Sequence, residues 1–267
     1  MKYAVVTTFH KTGYDLYGKR MIQTFLQNWP KEIDLYVYHE NVIPSEQANN
    51  LILRDLEESS PELVAFKNKW KNDPKANGGV ADSSTTNDKK AFKWDAVRFA
   101  HKVYAIFHCA KNCGADILFW MDADTVCHSP IPMDFIKKMT PATKELGFLG
   151  RGNKYTECGL YSMDIKSLEI NSFLREFQRM YDDAENGIFR LKEWHDSFVF
   201  DEVKGRTVSI TKQLNWSEGL VQGEGHPLIN SEWGAFLDHL KGQRKQQGRS
   251  KNKDLKVVRN EDYWDHK

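Results

Sequence analysis

The feature that most constrains the fold is the segment ILFWMDADTV, in which five consecutive apolar residues, Ile117–Met121, run directly into two acids. A strand without polar alternation is buried on both faces, as is typical of an inner strand in a parallel sheet covered by helices. Asp122 and Asp124 then lie at the carboxyl end of that strand, where open α/β sheets bind ligands. Two carboxylates this close repel each other and are costly to desolvate, so the pair indicates either a solvated turn or a cation site.

The sequence around this strand alternates between strand and helix patterns. This alternation predicts an α/β fold in one Rossmann-like domain, with a mostly parallel central sheet and helices on both faces. Strands are expected at 3–9, 33–40, 116–122, 145–152, 158–164 and 207–215, and helices at 13–29, in parts of 45–70, and at 91–115, 167–183 and 193–205. From Lys241 onward the chain is polar and basic, and we expect a loop or tail there.

Composition limits the classes of function. The 267 residues are 40% hydrophobic, which is enough for a sizeable core in one large domain. A net charge of +1 provides no overall attraction to nucleic acid or membrane, so either partner would need a local patch. No apolar run approaches the roughly 20 residues of a membrane span, and the N-terminal MKYAVVTTFH is predicted to be a strand rather than a signal peptide. We therefore expect a cytoplasmic protein.

The four cysteines are expected to be reduced thiols. Cys109 and Cys113 are four residues apart on a predicted helix, beside His108. No further ligand stands at a usable spacing, so the cysteines do not predict a zinc site. The paired acids are the stronger metal candidates, because Mg²⁺ and Mn²⁺ favour carboxylate oxygens and retain positions for water and phosphate.

Several segments resemble those of GT-A glycosyltransferases. FWMDADTVCHSPI resembles their Asp-X-Asp segment, and WDAVRFAHKVYAI is similar to their Asp-X-X-Arg helix, which gives Asp95 and Arg98. YTECGLYSMD resembles a strand whose glycine faces the sugar and the acceptor, and WHDSFVFDEV resembles an acidic helix start in which Asp196 is the matching acid. The resemblance implies a GT-A fold, a nucleotide-sugar donor with UDP as the nucleotide, and Mn²⁺ (or Mg²⁺) as cofactor.

A further segment, DHLKGQRK, contains His239, Gly242 and Lys245 in the order His-X-X-Gly-X-X-Lys. This spacing resembles the retaining glycogenin and lipooligosaccharide galactosyltransferase group. The resemblance implies that Asp122, Asp124 and His239 bind the metal, and that Gly242 and Lys245 contact the diphosphate. The Pro-Trp pair that usually follows is replaced here by glutamines, which leaves the retaining assignment open. His226 is a weaker alternative as third ligand.

The remaining site predictions follow from the strand ends and from the resemblance. Thr7, Thr8 and Phe9 end the first strand, where the base and ribose would lie. Arg98 is predicted to reach the phosphates or the sugar, with Asp95 and Ala123 also on the donor side. Asp196 is expected to act as general base if the enzyme inverts, to position the sugar if it retains, or merely to cap a helix. Glu157 and Cys158 are weaker candidates on the acceptor side. We assign residues 1–126 to a nucleotide-binding half, 127–240 to an acceptor half and 241–267 to a basic donor-site loop and tail.

The acceptor is the least constrained part of the prediction. The stretch KGQRKQQGRSKNKDLKVVR contains eight Lys or Arg residues against one Asp, and such runs are usually solvated tails. A basic segment leading away from the site could instead follow a phosphate backbone, helped by Lys89, Lys90 and Lys93. An enzyme acting on a base in duplex DNA would have to extrude it, and the loop at 71–90 could assist. The compact chain resembles phage-type enzymes that glycosylate hydroxymethylated pyrimidines in DNA, which would place it in a bacterial or phage-infected cell. Glycan, lipid or protein acceptors remain alternatives, as do a nucleotidyltransferase and a non-catalytic nucleotide-sugar-binding protein.

Overall fold

The computed structural model describes residues 1–79, 88–220 and 226–265. The strands are β1 (Tyr3–His10), β2 (Asp34–Glu40), β3 (Leu51–Asp55), β4 (Ile117–Met121), β5 (Thr125–Cys127), β6 (Leu146–Arg151), β7 (Lys154–Asp164), β8 (Gln213–Asn215) and β9 (Leu237–His239). The helices are α1 (Lys11–Gly13), α2 (Lys19–Asn28), α3 (Leu56–Ser59), α4 (Pro61–Trp70), α5 (Ala96–Asn112), α6 (Met133–Met139), α7 (Leu168–Asp182), α8 (Asp196–Thr207), α9 (Pro227–Asn230) and α10 (Arg244–Gln247). A π-helical turn, Tyr14–Gly18, joins α1 to α2.

Seven strands form the central sheet, in the order β3-β2-β1-β4-β7-β6-β8. The β3-β2, β2-β1, β1-β4 and β6-β8 pairs are parallel, whereas β7 runs antiparallel to both of its neighbours. The predicted α/β fold with a mostly parallel sheet is therefore confirmed.

The apolar strand β4 is buried on both faces, as its composition predicts. Leu118 and Trp120 belong to a core cluster with residues of α5, α7 and α8. Ile117, Phe119 and Met121 belong to a second cluster on the opposite face, with residues of α2. Successive side chains of a strand point to opposite faces, so one five-residue strand contributes to both cores and fixes the acids that follow it.

Two sequence predictions of local structure were wrong. Leu51–Asp55 is an edge strand paired with β2, not part of a helix. The strand expected at 207–215 is reduced to Gln213–Asn215, because α8 continues through Gly205 to Thr207. Gly205 lies within the helix, without the left-handed conformation with which a glycine often ends one.

The C-terminal segment is mostly loop, as expected, but it is anchored to the rest of the protein and is not a free tail. Ser250 and Trp264 are buried; Ser250 hydrogen-bonds to Asp238 of β9, and Trp264 hydrogen-bonds to Gly234 in the turn before β9. The fully buried Asp238 accepts hydrogen bonds from Ser250 N at 2.7 Å and from Tyr263 Oη at 2.8 Å. A buried carboxylate needs such donors, so Asp238 ties this segment to β9.

Some sequence predictions concern residues that the structure does not cover. Residues 80–87 of the predicted 71–90 loop, and the side chains of Lys89 and Lys90, lie outside the described residues. Lys93 is described, and its ammonium pairs with the Glu193 carboxylate. Within the described ranges, no helix combines the length and apolar character needed to cross a membrane.

Candidate metal and nucleotide site

The two-stranded β5-β9 ladder brings His239 to the paired acids from more than a hundred residues away. Thr125 pairs with His239 across this ladder, and Leu240 N donates to the Asp124 carbonyl at 2.8 Å. His239 Nε2 consequently lies 3.1 Å from Asp124 Oδ1 and 3.6 Å from Asp122 Oδ2. Potential ligand atoms of these three residues lie within 4.8 Å of one another, close enough to contact one cation.

The second oxygen of each acid is already occupied. Asp122 Oδ1 accepts from Trp120 Nε1 at 2.7 Å and from Lys102 Nζ at 3.1 Å. Asp124 Oδ2 pairs with Lys245 Nζ at 2.8 Å. One oxygen from each carboxylate is therefore directed to the His239 imidazole. Two hard oxygens and one imidazole nitrogen fit Mn²⁺, and they also accommodate Mg²⁺.

The electrostatics of this cluster reflect three cations around two acids. Burial alone would lower the pKa of His239, but the carboxylates of Asp124 and Glu157 outweigh it and raise that pKa to about 10. Burial would raise the pKa of Asp124, yet His239 and Lys245 hold it well below its usual range. Lys245 has a raised pKa, because the nearby Asp124 outweighs the desolvation that opposes its charge. A bound divalent cation would take over the charge neutralisation that His239 and Lys245 provide here.

Gly159 permits the close approach of β7 to His239. A Cβ at this position would lie 2.5 Å from both Cε1 and Nδ1 of the His239 ring. The Gly159 carbonyl also accepts from Asp122 N at 2.8 Å. The preceding Glu157 and Cys158 are both buried and do not line the cleft at the acids, contrary to their expected acceptor-side position. Glu157 instead lies behind His239, with Oε1 at 2.8 Å from Nδ1.

A cleft of about 570 Å³ opens beside the acids, at the carboxyl ends of β1, β2 and β4. It contains most of the predicted donor-side residues: Thr8, Phe9, Arg98, Asp122, Ala123, Asp124, Asp196 and Lys245. The cleft is large enough for a nucleotide, and binding clefts of small molecules fall in this range of volumes.

Four predicted site residues lie outside the lining of this cleft: Thr7, Asp95, Gly242 and His239, which is buried behind the acids. The Thr7 side chain is fully buried. Asp95 caps α5 by accepting from Arg98 N at 3.3 Å, and burial raises the pKa of its carboxyl. Gly242 has a left-handed φ of 58° in the exposed turn before α10, which carries Lys245. A glycine suits that turn because it adopts positive φ without a steric cost.

Asp196 is the first residue of α8 and not its cap. His195 caps that helix by accepting from Phe198 N through Nδ1 at 3.4 Å, so the capping interpretation of Asp196 was wrong. Asp196 Oδ2 lies 2.8 Å from Lys102 Nζ. Burial would raise the pKa of Asp196, but Lys102 outweighs it and lowers that pKa.

Lys102 is the main site residue that sequence reasoning missed. Its buried ammonium bridges Asp122 and Asp196, donates to the Cys158 carbonyl, and lies 4.7 Å from the ring centre of Trp120. Burial would lower the pKa of Lys102, but the two carboxylates raise it well above its usual range. The available signal was a lysine directly preceding the apolar run Val103–Phe107 within a helix, where a charge requires buried partners.

Glu40 and His101 form a second unpredicted pair in the cleft. Glu40 ends β2 and is 5% exposed; its carboxylate contacts His101 Nδ1, and Lys67 Nζ at 3.3 Å. Burial would raise the pKa of Glu40, but His101 and Lys67 outweigh it and lower that pKa. A glutamate at a strand end carries little signal by itself, because its partners come from two separate helices.

Comparison with known proteins gives distant structural neighbours. No protein-family model matches the chain, and no curated protein matches it by sequence. Solved structures that align with 80% of the chain include the bifunctional glycosyltransferase WbbM (TM-score 0.47, 11% identity, 38% of that chain) and mouse xyloside xylosyltransferase 1 (0.45, 8%, 84%). A third is the glycosyltransferase GlyE of Streptococcus pneumoniae TIGR4 (0.47, 11%, 45%). The chain thus spans less than half the length of WbbM and GlyE, and its function is argued below from the site geometry.

Proposed function

We propose that this protein is a metal-dependent glycosyltransferase of the GT-A type, which transfers a sugar from a UDP-sugar to an acceptor hydroxyl. The observation that carries the proposal is the convergence of Asp122 Oδ2, Asp124 Oδ1 and His239 Nε2 at the strand ends, beside Lys245. This arrangement combines a three-ligand cation site with an ammonium group and an adjoining cleft of nucleotide size. Mn²⁺ is the proposed cofactor, with Mg²⁺ as the alternative.

The metal, when bound, supplies Lewis-acid stabilisation of the leaving diphosphate. The ammonium group of Lys245 would stabilise the same negative charge on the diphosphate. In the metal-free arrangement its ammonium neutralises Asp124 at 2.8 Å. If that carboxylate ligated a cation, Lys245 would be free to pair with a phosphate oxygen. Arg98 lies at the exposed rim of the cleft, where its guanidinium suits bidentate binding of phosphate.

Asp196 is proposed to orient the sugar rather than to remove the acceptor proton. Its Oδ2 is held by Lys102 at 2.8 Å, and its Oδ1 accepts from Ser197 N at 2.8 Å. An acid with a lowered pKa and two bound donors is a weak proton acceptor. This role is compatible with retention of configuration, in which the departing diphosphate takes the acceptor proton.

The experiment that tests the proposal is product analysis by mass spectrometry, after incubation with UDP-sugars and Mn²⁺. We expect release of UDP, which excess chelator and the Asp124→Asn substitution both abolish. Tight binding without UDP release would instead indicate a non-catalytic nucleotide-sugar-binding protein. Consumption of a nucleoside triphosphate with release of pyrophosphate would indicate a nucleotidyltransferase.

We propose a hydroxymethylated pyrimidine in DNA as the acceptor. This proposal depends on the exposed part of the basic segment. Four of the eight cations already have protein partners: Lys241 on Glu157, Lys245 on Asp124, Arg244 on Asp254, and Arg259 on the carbonyls of Ile229 and Ser231. The exposed cations available to a phosphate backbone are Arg249, Lys251, Lys253 and Lys256. A DNA acceptor would locate the reaction in the cytoplasm of a bacterial or phage-infected cell.

Fluorescence anisotropy with duplex DNA tests this acceptor. We expect binding that weakens as salt rises, with a shallower salt dependence after all four exposed cations are replaced by Gln. A Gln replacement of the exposed Lys137 and Lys138 on α6 serves as control. Absence of binding at low salt would exclude DNA and favour a glycan, lipid or protein acceptor.

A further inference from the structure

We infer that Glu157 is a positioning residue of the metal site, which holds His239 in the ring orientation and tautomer that present Nε2 to Asp122 and Asp124. The inference rests on the proposed metal site and adds a residue that touches neither substrate nor cation. Glu157 comes from β7, on the opposite side of His239 from the acids.

The hydrogen bond from His239 to Glu157 decides which imidazole nitrogen faces the acids. Glu157 Oε1 accepts from His239 Nδ1 at 2.8 Å, and both residues are buried. With its hydrogen on Nδ1, the neutral ring has its lone pair on Nε2, which is the atom 3.1 Å from Asp124. The ring has little freedom to rotate away, because Gly159 packs closely against its Nδ1 edge.

The Glu157 carboxylate is held on its Oε1 side. Lys241 Nζ lies 2.8 Å from Oε1, whereas Oε2 and His226 Nδ1 lie 3.7 Å apart and make no hydrogen bond to the described residues. His226 Nε2 donates to the His239 carbonyl at 2.8 Å. The side chain of His239 is therefore held by Glu157, and its backbone by His226.

A second group of three potential metal ligands lies close together: Glu157, His226 and His239. The contacts favour a supporting role instead. The Lys241 ammonium already neutralises Glu157, and the His239 nitrogen that would face a second metal is engaged with the Glu157 carboxylate. A carboxylate behind a metal-binding histidine is a recurrent arrangement that orients the ring and increases its basicity as a ligand.

The test is Mn²⁺ binding, measured by electron paramagnetic resonance without nucleotide or sugar. Loss of such a supporting carboxylate typically weakens metal binding about 10–100-fold, and we expect this range for Glu157→Met, which removes the acceptor. Glu157→Gln should bind within about threefold of the natural protein, because its amide oxygen can still accept from Nδ1. Rescue by Gln but not by Met distinguishes positioning from space filling.

A matched control is available in Glu193, another buried glutamate that contacts a histidine, His195, at 2.8 Å. Glu193→Met should leave Mn²⁺ binding unchanged. If Glu157→Met does not fold, Glu157→Asp is the alternative. It shortens the side chain by one methylene, which moves the carboxylate away from His239, and it should weaken Mn²⁺ binding by a comparable factor.

The outcomes separate this inference from the proposed function. Unchanged Mn²⁺ affinity in folded Glu157→Met or Glu157→Asp, or an equal loss in Glu193→Met, overturns the role of Glu157 and leaves the metal site intact. Absence of Mn²⁺ binding by the natural protein overturns both. Weakened binding in a protein that transfers no sugar supports Glu157 and contradicts the glycosyltransferase proposal alone.

Discussion

Each of the two site acids depends on a cation brought from another segment. Lys102 comes from α5, and Lys245 comes from α10. The acids could be predicted from the sequence, because a fully apolar strand that ends in Asp-X-Asp is itself a local signal. Lys102 had only the weak signal of a lysine directly before an apolar helical run, because its carboxylate partners come together only when α5 and α8 pack at the strand end.

We predict that Gly159→Ala displaces the His239 ring. The added Cβ would lie 2.5 Å from two ring atoms, and overpacking of this kind costs about 1–3 kcal/mol. Mn²⁺ affinity should fall at least about tenfold, in a protein that still unfolds cooperatively in urea. Gly205→Ala is the control, since its Cβ would meet nothing within 4 Å and should be neutral or slightly stabilising. Equal Mn²⁺ affinity in both variants would contradict the close packing of Gly159 on His239.

The pH dependence of metal binding follows from the pKa of His239, raised to about 10 in the metal-free protein. Below that pH the imidazole is protonated, and a metal ion must displace one proton to use Nε2. Mn²⁺ affinity should therefore increase with pH, by up to about tenfold per unit between pH 6 and 8. Calorimetry in buffers of different ionisation enthalpy should detect release of about one proton. Binding that is independent of pH with no proton release would exclude His239 as a ligand.

At the scale of elements, the inner strands and long helices could be predicted and the edge elements could not. β1, β4 and α5 carry their own periodicity, whereas β3 and β8 are short, half-buried and defined mainly by pairing with a neighbour. The anchoring of the basic stretch after β9 could not be predicted, for a similar reason. Its few apolar anchors, such as Trp264, are widely spaced, and its fold depends on the buried Asp238.

In the C-terminal segment, we predict that Trp264→Ala destabilises the protein by about 3–5 kcal/mol, which is the usual cost of deleting a buried indole. Trp264 is 4% exposed, and its Nε1 donates to the Gly234 carbonyl at 2.8 Å. Mn²⁺ affinity should fall as well, because β9 carries His239. Chemical denaturation and Mn²⁺ titration measure the two effects. Val258→Ala, in the same segment but 90% exposed, should change stability by less than about 0.5 kcal/mol. A similar small effect of both substitutions would show that the segment does not support β9.

For the whole molecule, the account requires the sheet and the β5-β9 ladder to build one site from distant parts of the sequence. The turn after β4 supplies the acids, β9 the histidine, α10 the lysine, and the ends of β1 and β2 the adjoining cleft. Metal and nucleoside diphosphate should therefore bind cooperatively, because each neutralises charge that the other leaves unpaired.

The most direct test is the thermal stability of the protein with Mn²⁺, with UDP, and with both. At about 100 times the dissociation constant, a ligand adds about 2.7 kcal/mol, which corresponds to a rise in Tm of roughly 5–10 °C for a chain of this size. The account predicts that Mn²⁺ alone raises Tm, that UDP adds a further rise only when Mn²⁺ is present, and that both rises disappear in Asp124→Asn. An equal rise with UDP in excess chelator, or in Asp124→Asn, would contradict a metal-dependent diphosphate site built on Asp122, Asp124 and His239.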